Sequence, residues 1–277
     1  MNFAIIGLGF VSPRHIKGIE RSGGKVILTC DIDENKKLEG IPSIKHYKEM
    51  REHPLYKHID VISICVPNYL HHDIIQGFPD KQIICEKPTV IDPNHWKDIG
   101  DNVSCVMQLR FNSKVRQLKD TNIQSPIDIT VQTYREPSYF ESWKGDSRMS
   151  GGILYNMGVH YIDLLIYLLG EPVKIIKSDI NGKSAIGLVE FEHGLGRFSF
   201  ELLTTKTPTV IRKMKIGEDL FDLNGATIPL SKKNDIPDDD LHTELYREYV
   251  KGNKIPFSEA LKSLKLIEQL KKHADKT

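Results

Sequence analysis

Phe3-Ala4-Ile5-Ile6-Gly7-Leu8-Gly9-Phe10-Val11-Ser12-Pro13-Arg14-His15 is the stretch on which the reading of this chain turns. A continuous apolar run ends in two spaced glycines, and Pro13 then stands in the first turn of a helix-compatible segment. Glycines at Gly7 and Gly9 let the chain turn tightly and bring the backbone of Phe10 and Val11 against a pyrophosphate at a helix N-terminus. The spacing is that of the dinucleotide fingerprint, with Ser12 in place of its last small residue.

Working outward, strand-like runs recur over Phe3 to Gly7, Lys25 to Asp31, Asp60 to Val66, Gln82 to Glu86 and Val103 to Gln108, several of them separated by helix-compatible segments. Apolar strands alternating with helices predict a parallel sheet covered on both faces, which binds ligands beyond the carboxyl ends of its strands. Gly7, Gly9, Asp31, Pro67, Asn68, Glu86, Lys87 and Pro88 all fall at such ends. Asp31 is placed to accept both ribose hydroxyls of an adenosine and to repel a 2′-phosphate, which favours NAD, although Lys36 and Lys37 leave room for NADP. Asn68 is placed to cap the next helix, which carries His71, or to border the nicotinamide ribose.

The chain has 277 residues, 39% of them hydrophobic, enough for one large domain or two modest ones. With 38 basic against 37 acidic residues there is no global field to favour nucleic acid or an anionic membrane. No apolar run approaches the length of a membrane span, and a cytoplasmic protein is expected. Cys30, Cys65, Cys85 and Cys105 lie in or at the ends of β-like runs without zinc-site spacing, so buried free thiols of a reducing compartment are predicted and no metal. Residues 231–240 (SKKNDIPDDD) read as a loop before a helix starting near Leu241.

Further on, Trp143-Lys144-Gly145-Asp146 and Ser150-Gly151-Gly152-Ile153 precede Asn156-Met157-Gly158-Val159-His160. The glycine pair opens a helix on which Asn156 and His160, four residues apart, share one face. Either His160 is a structural residue of that helix or both side chains serve one pocket. Asp163, three residues on, is in a position to orient the His160 ring. Leu261, Leu264, Ile267 and Leu270 predict a C-terminal docking helix.

With GLG, PNYLH, CEKP and NMGVH in this order, the chain resembles the glucose-fructose oxidoreductase, inositol dehydrogenase and MocA family. Within it, Ser12 to His15, Val61 to Cys65 with Pro67 to His71, Gln108 to Arg110, Trp143 to Asp146 and Asp240 to Thr243 look like the UDP-N-acetyl-2-amino-2-deoxyglucuronate 3-dehydrogenases. The resemblance implies an α/β chain: an N-terminal Rossmann NAD-binding domain over residues 1–110, and a substrate-binding and oligomerisation α/β domain with an open, mostly antiparallel sheet over residues 111–277. The C-terminal helix is expected to dock back on the first domain. It implies NAD as cofactor, a homo-oligomer (dimer or tetramer), and 2-oxoglutarate as the reoxidant used by some relatives. The glycine turn is one residue shorter than in those enzymes, the helical region after Asp31 is abbreviated and the sheet region between Gly170 and Asp240 is compact.

The expected reaction is oxidation of the 3-hydroxyl of UDP-N-acetylglucosaminuronate, as in surface-polysaccharide synthesis. The family nominates Lys87 as base, His160 as competing base or relay, and Asn156 as the group that orients the sugar. Arg110, Lys144 and Arg148 are candidates for the substrate's anionic groups, Arg14 for either ligand at the domain junction, and Trp143 for stacking on uracil. Gly7, Gly9, Phe10, Val11, Asp31, Pro67, Asn68, His71, Glu86 and Lys87 are the expected cofactor residues. The rivals are a dehydrogenase of another sugar or cyclitol and a non-catalytic NAD-binding regulatory protein.

Overall fold

The structure is a computed structural model that describes residues 1–121, 123, 125–207, 210–223 and 240–275. Residues 231–239 of the expected loop lie outside them. The chain forms two compact units, Met1–Gln108 with Leu230–Ser258, and Leu109–Pro229 with Glu259–Thr277.

The first unit is a six-stranded sheet of β1 (Asn2–Ile6), β2 (Lys25–Cys30), β3 (Ser43–Ile44), β4 (Val61–Ile64), β5 (Gln82–Cys85) and β6 (Val103–Cys105), in the order β3-β2-β1-β4-β5-β6. All its neighbours are parallel. The order reverses at β1, the topological switch point at which open α/β sheets bind ligands. The core gathers Ala4, Ile6, Leu28, Ile62, Ile64 and Ile83 with Met50 and Phe78. The five apolar runs read from sequence are five of these strands. Two-residue β3 is too short to register as a pattern.

Helix α1 (Ser12–Arg21) follows the glycine turn, and α2 (His71–Gln76) follows β4 after a 3₁₀ turn at Asn68–Leu70. Asn68 begins that turn and does not cap it, because the capping position belongs to Pro67. The connection from β2 to β4 contains only 3₁₀ turns, at Tyr47–Glu52 and Tyr56–His58, in keeping with its abbreviation. The sequence boundary at residue 110 needs correction for the segment after Asp240, which belongs to this unit. A Cβ on Gly18 of α1 would stand 2.6 Å from Tyr246 Cδ2 and 3.1 Å from the His242 carbonyl oxygen, so the missing side chain is what lets the two segments touch.

In the second unit, α3 (Ser113–Lys119), α4 (Pro137–Glu141), α5 (Ser147–Ser150) and α6 (Val159–Leu169) accompany a second sheet. Its strands are β7 (Ile127–Tyr134), β8 (Pro172–Ile180), β9 (Ser184–Phe191), β10 (Gly194–Leu203), β11 (Ile211–Ile216) and β12 (Asp219–Asp222), ordered β12-β11-β7-β10-β9-β8. Among the described strands of this sheet only β7 with β10 is parallel. Along β7 the odd residues Ile127, Ile129, Val131 and Thr133 are buried, while Val173, Ile176, Ile186 and Leu220 of β8, β9 and β12 are exposed. One face of the sheet is therefore covered and much of the other open. Gly158, at the start of α6, has Phe200 of β10 where its Cβ would be, 2.9 Å away.

Helix α7 (Leu241–Val250) belongs to the first unit, as noted, with Asp240 accepting from the His242 N–H as its cap. Helix α8 (Phe257–Ala274) goes, from Glu259 onward, with the second unit. The Ser178 hydroxyl donates to the Leu270 carbonyl, and Tyr155 Oη to Glu268, 3.1 Å away. The helical stretch Ser147–Leu169 is long and apolar enough to cross a membrane, contrary to the expectation from sequence, but 72% of its 18-residue apolar window is buried inside the protein. It is a core helix.

Candidate active site

Gly7 has φ +93°, and a Cβ there would lie 2.9 Å from the carbonyl carbon and oxygen of Cys65, so glycine is required for β1 to turn over the end of β4. At Gly9 no atom stands within 4 Å of the Cβ position, which leaves that backbone open to a ligand. Ser12 is buried and its hydroxyl donates to the Gly9 carbonyl at 2.9 Å, which explains a serine at the fingerprint's last small position. No acid lies in the first turn of α1 to neutralise its amides.

Asp31 accepts from the Leu8 N–H at 2.6 Å through one oxygen and from the Asp33 N–H at 2.9 Å through the other. It staples the glycine turn to β2, and a carboxylate keeps further acceptor positions for ribose hydroxyls. Phe10 and Ile32, 71% and 76% exposed, offer apolar surface beside this edge. An open glycine backbone, an uncompensated helix start and an acid at the end of β2 fit NAD.

Glu86 and Lys87 leave β5 in different roles. The Glu86 carboxylate is buried, with His15 Nε2 at 2.9 Å and His242 Nε2 at 3.4 Å, and it accepts the Lys87 backbone N–H at 3.2 Å. Burial disfavours its charge, but the hydrogen bonds from His15 and His242 outweigh this and hold it well below the usual carboxylate range. Burial likewise pulls His15 down, and Cys65 and Glu86 together outweigh it, raising its pKa to about 9. His15 Nδ1 lies 2.8 Å from Tyr246 Oη, which in turn is 2.7 Å from Ser63 Oγ. The ligand-type atoms of His15, Glu86 and His242 lie within 4.8 Å of one another, a set of the kind metals use, and hydrogen bonds occupy it. Sequence spacing gave no hint of this network, since Glu86 and His242 are 156 residues apart.

His71 is fully buried, its ring 2.8 Å from the Pro88 carbonyl and 3.0 Å from that of Val66. It buttresses the Lys87 loop against β4, and burial lowers its pKa. Glu86 and His71, both expected at the cofactor, are thus buried with their side chains hydrogen-bonded inside the protein. Lys87 itself is half-buried.

In the second unit Gly151 and Gly152 both take positive φ, 82° and 78°, and end α5, after which a π turn at Leu154–Gly158 leads into α6. Asn156 lies in that turn, its amide donating to Tyr139 Oη at 2.7 Å, and His160 follows, half-buried, in the first turn of α6. Asp163 is not the orienter of His160: its carboxylate accepts from Arg110 Nε at 2.8 Å and from Nη2 at 2.7 Å. Burial raises the Asp163 pKa even against the attraction of Arg110.

The cations expected to meet a substrate separate into two kinds. Arg110 is committed to Asp163, buried Arg14 to Asp240 at 3.0 Å, and Arg148, 88% exposed, to Asp146 at 2.7 Å. Lys144 is half-buried, its Nζ 5.8 Å from the Trp143 ring and 5.9 Å from that of Tyr139. Arg135, not singled out from sequence, has its guanidinium 5.0 Å from the same Tyr139 ring centre. Its position at the exit of a strand was the available signal.

These two units define a class: a dinucleotide-binding oxidoreductase fold with a separate α/β unit. The oxidoreductase family model for the NAD-binding Rossmann fold matches residues 1–104, and its companion for the C-terminal alpha/beta domain matches residues 115–197. The chain belongs to this glucose-fructose oxidoreductase, inositol dehydrogenase and MocA family, and its first unit is the NAD-binding domain. Inositol 2-dehydrogenase of Rhizobium meliloti is 29% identical over 135 residues, 42% of this chain and 39% of that protein, so the match spans well under half of that relative. The WlbA (WbpB) dehydrogenase of Thermus thermophilus has the same fold, with TM-score 0.79 and 23% identity in two complexes. One, with NAD and alpha-ketoglutarate, covers 95% of this chain and 92% of its own, and the other, with NAD and UDP-GlcNAcA, covers 96% and 92%.

Proposed function

We propose that this protein oxidises the 3-hydroxyl of UDP-N-acetylglucosaminuronate to the ketone. The observation that carries the reading is a pair of half-buried cations, Arg135 and Lys144, grouped with the Asn156 amide around Tyr139, in a chain whose other unit binds NAD. A hydroxylated, anionic substrate suits that group. The likeness to a Thermus dehydrogenase crystallised with NAD and UDP-GlcNAcA supports the same choice.

When bound, NAD supplies the hydride acceptor. The chain's own residues must hold the sugar and remove the hydroxyl proton. Lys87 is assigned the proton, because a lysine whose ammonium is disfavoured by burial and by neighbouring positive charge becomes a usable amine. Glu86, which would otherwise stabilise that ammonium, has its carboxylate engaged with His15 and His242. His160 is assigned the relay and Asn156 the orientation of the sugar, the latter without adding negative charge beside an acid. Four buried cysteines that form no disulfide accord with a reducing cytoplasm. The apolar residues on the open face of the second sheet accord with a homo-oligomer, and 2-oxoglutarate is the reoxidant this reading favours.

The test is NADH formation from NAD with UDP-N-acetylglucosaminuronate, UDP-N-acetylglucosamine or myo-inositol. Reduction with the uronate alone is expected, and reduction with myo-inositol alone would replace the reading by cyclitol oxidation. Binding of NAD without reduction by any of them would favour a regulatory protein. Lys87→Met and His160→Asn are each expected to slow turnover by about 10²–10⁴-fold with NAD affinity retained. Wild-type turnover in both would overturn the assignment of roles.

A further inference from the structure

Arg135 is the unusual charge of the second unit. It continues the parity of Ile127, Ile129, Val131 and Thr133, so it leaves β7 on the covered side of the sheet. Its backbone N–H donates to the Leu203 carbonyl at 2.9 Å, which fixes its place beside β10. Arg212 of β11 shares that side, two residues before buried Met214, and both arginines bear on the buried Tyr161 hydroxyl.

Arg135 and Lys144 both lie over one ring, that of Tyr139. Among the described residues no carboxylate pairs with either, although Arg14, Arg110 and Arg148 each have one. The Arg135 Nε is buried and has no hydrogen-bond partner. Burial, and after it the charge of Arg135, lowers the pKa of Lys144, the signature of two like charges partly withdrawn from water. Tyr139 Oη accepts from the Asn156 amide and so keeps its own proton to donate. Leaving buried donors and neighbouring cations unmatched is costly unless a ligand matches them.

We propose that Arg135, Lys144 and the Tyr139 hydroxyl form the seat for the carboxylate of a sugar acid. The inference rests on the nucleotide-sugar reading for the identity of that acid, and it makes Arg135 the residue that selects a uronate over the neutral sugar. A guanidinium presents its Nε and one Nη as a planar fork that matches two carboxylate oxygens. A tetrahedral phosphate would be met as readily by a point charge. Lys144 adds that charge and Tyr139 a third donor.

The experiment is a binding titration of NAD-saturated, full-length protein with UDP-N-acetylglucosaminuronate, UDP-N-acetylglucosamine, UDP and glucuronate, in wild type, Arg135→Gln, Arg135→Lys and Lys144→Met. Arg197→Gln, whose side chain is 57% exposed and paired with Asp128, is the control. Arg135→Gln is expected to weaken both carboxylate ligands by about tenfold or more and to leave UDP and the neutral sugar nucleotide unchanged. Arg135→Lys should recover only part, because an ammonium restores the charge without the fork, and Lys144→Met should weaken the same two ligands. Equal weakening of UDP would make this a phosphate site and overturn the carboxylate assignment. Undiminished uronate and glucuronate binding in Arg135→Gln, or no binding of either by wild type, would overturn the seat. Wild-type binding of glucuronate but of no UDP-sugar would support the seat and overturn the nucleotide-sugar reading alone.

Discussion

The first unit buries its charges in matched sets, Arg14 with Asp240 and Glu86 between His15 and His242, whereas in the second no carboxylate among the described residues pairs with Arg135 or Lys144. Each group has one member just past a strand, Glu86 after β5 and Arg135 after β7. The difference lies in what completes them. Matched charges fasten distant segments together, α7 onto the glycine-turn helix in this case, and they gain nothing from a ligand. Unmatched charges withdrawn from water are the ones a ligand can satisfy.

The largest effect that would break this comparison is on stability, within the second unit. Arg110→Met removes the partner of a buried carboxylate and is expected to destabilise the protein by about 3–5 kcal/mol in denaturant melts. Arg135→Gln, by contrast, should change stability by no more than about 0.5 kcal/mol, since it removes no partner. Equal losses would mean that Arg135 is structural after all.

Next in size is the pH dependence of the first unit. The folded value of about 9 for His15 lies above the ordinary 6.5. Its contribution is therefore complete below 6.5 and is lost as the pH rises through about 9, a change of about 3 kcal/mol. Melts at neutral pH and at pH about 10 should show it in wild type and lose most of it in His15→Gln. A smaller effect follows from packing. Gly18→Ala pushes a methyl against Tyr246 and the His242 carbonyl and should cost about 1–3 kcal/mol. Least of all, Arg148→Gln on the exposed Asp146 pair should leave the melting temperature unchanged within error.

Much of the first unit was legible in the sequence because its signals are local. Continuous apolar runs ending in glycine, aspartate or Glu-Lys-Pro mark buried parallel strands and their ligand-bearing ends, and Ser12 falls where a small residue must pack. Partners of charged residues were not legible, because they are decided by tertiary contact. Asp163 was read against His160 three residues away, yet it pairs with Arg110 across 53 residues of chain. The wider winding of the π turn through Asn156 likewise breaks the regular helical face that a four-residue spacing implies. Arg135 is not legible from sequence because an arginine after a strand is ordinary until it is seen that no described carboxylate pairs with it.

The central claim is hydride removal from the carbon that bears the 3-hydroxyl of an anionic nucleotide sugar. It is tested most directly by incubating the protein and NAD with UDP-N-acetylglucosaminuronate deuterated at C3 and examining the reduced cofactor by mass spectrometry. Deuterium in the NADH, with a C3 ketone in the sugar, is the predicted result. NADH formed without deuterium, or no NADH from a protein shown to bind both ligands, would contradict it.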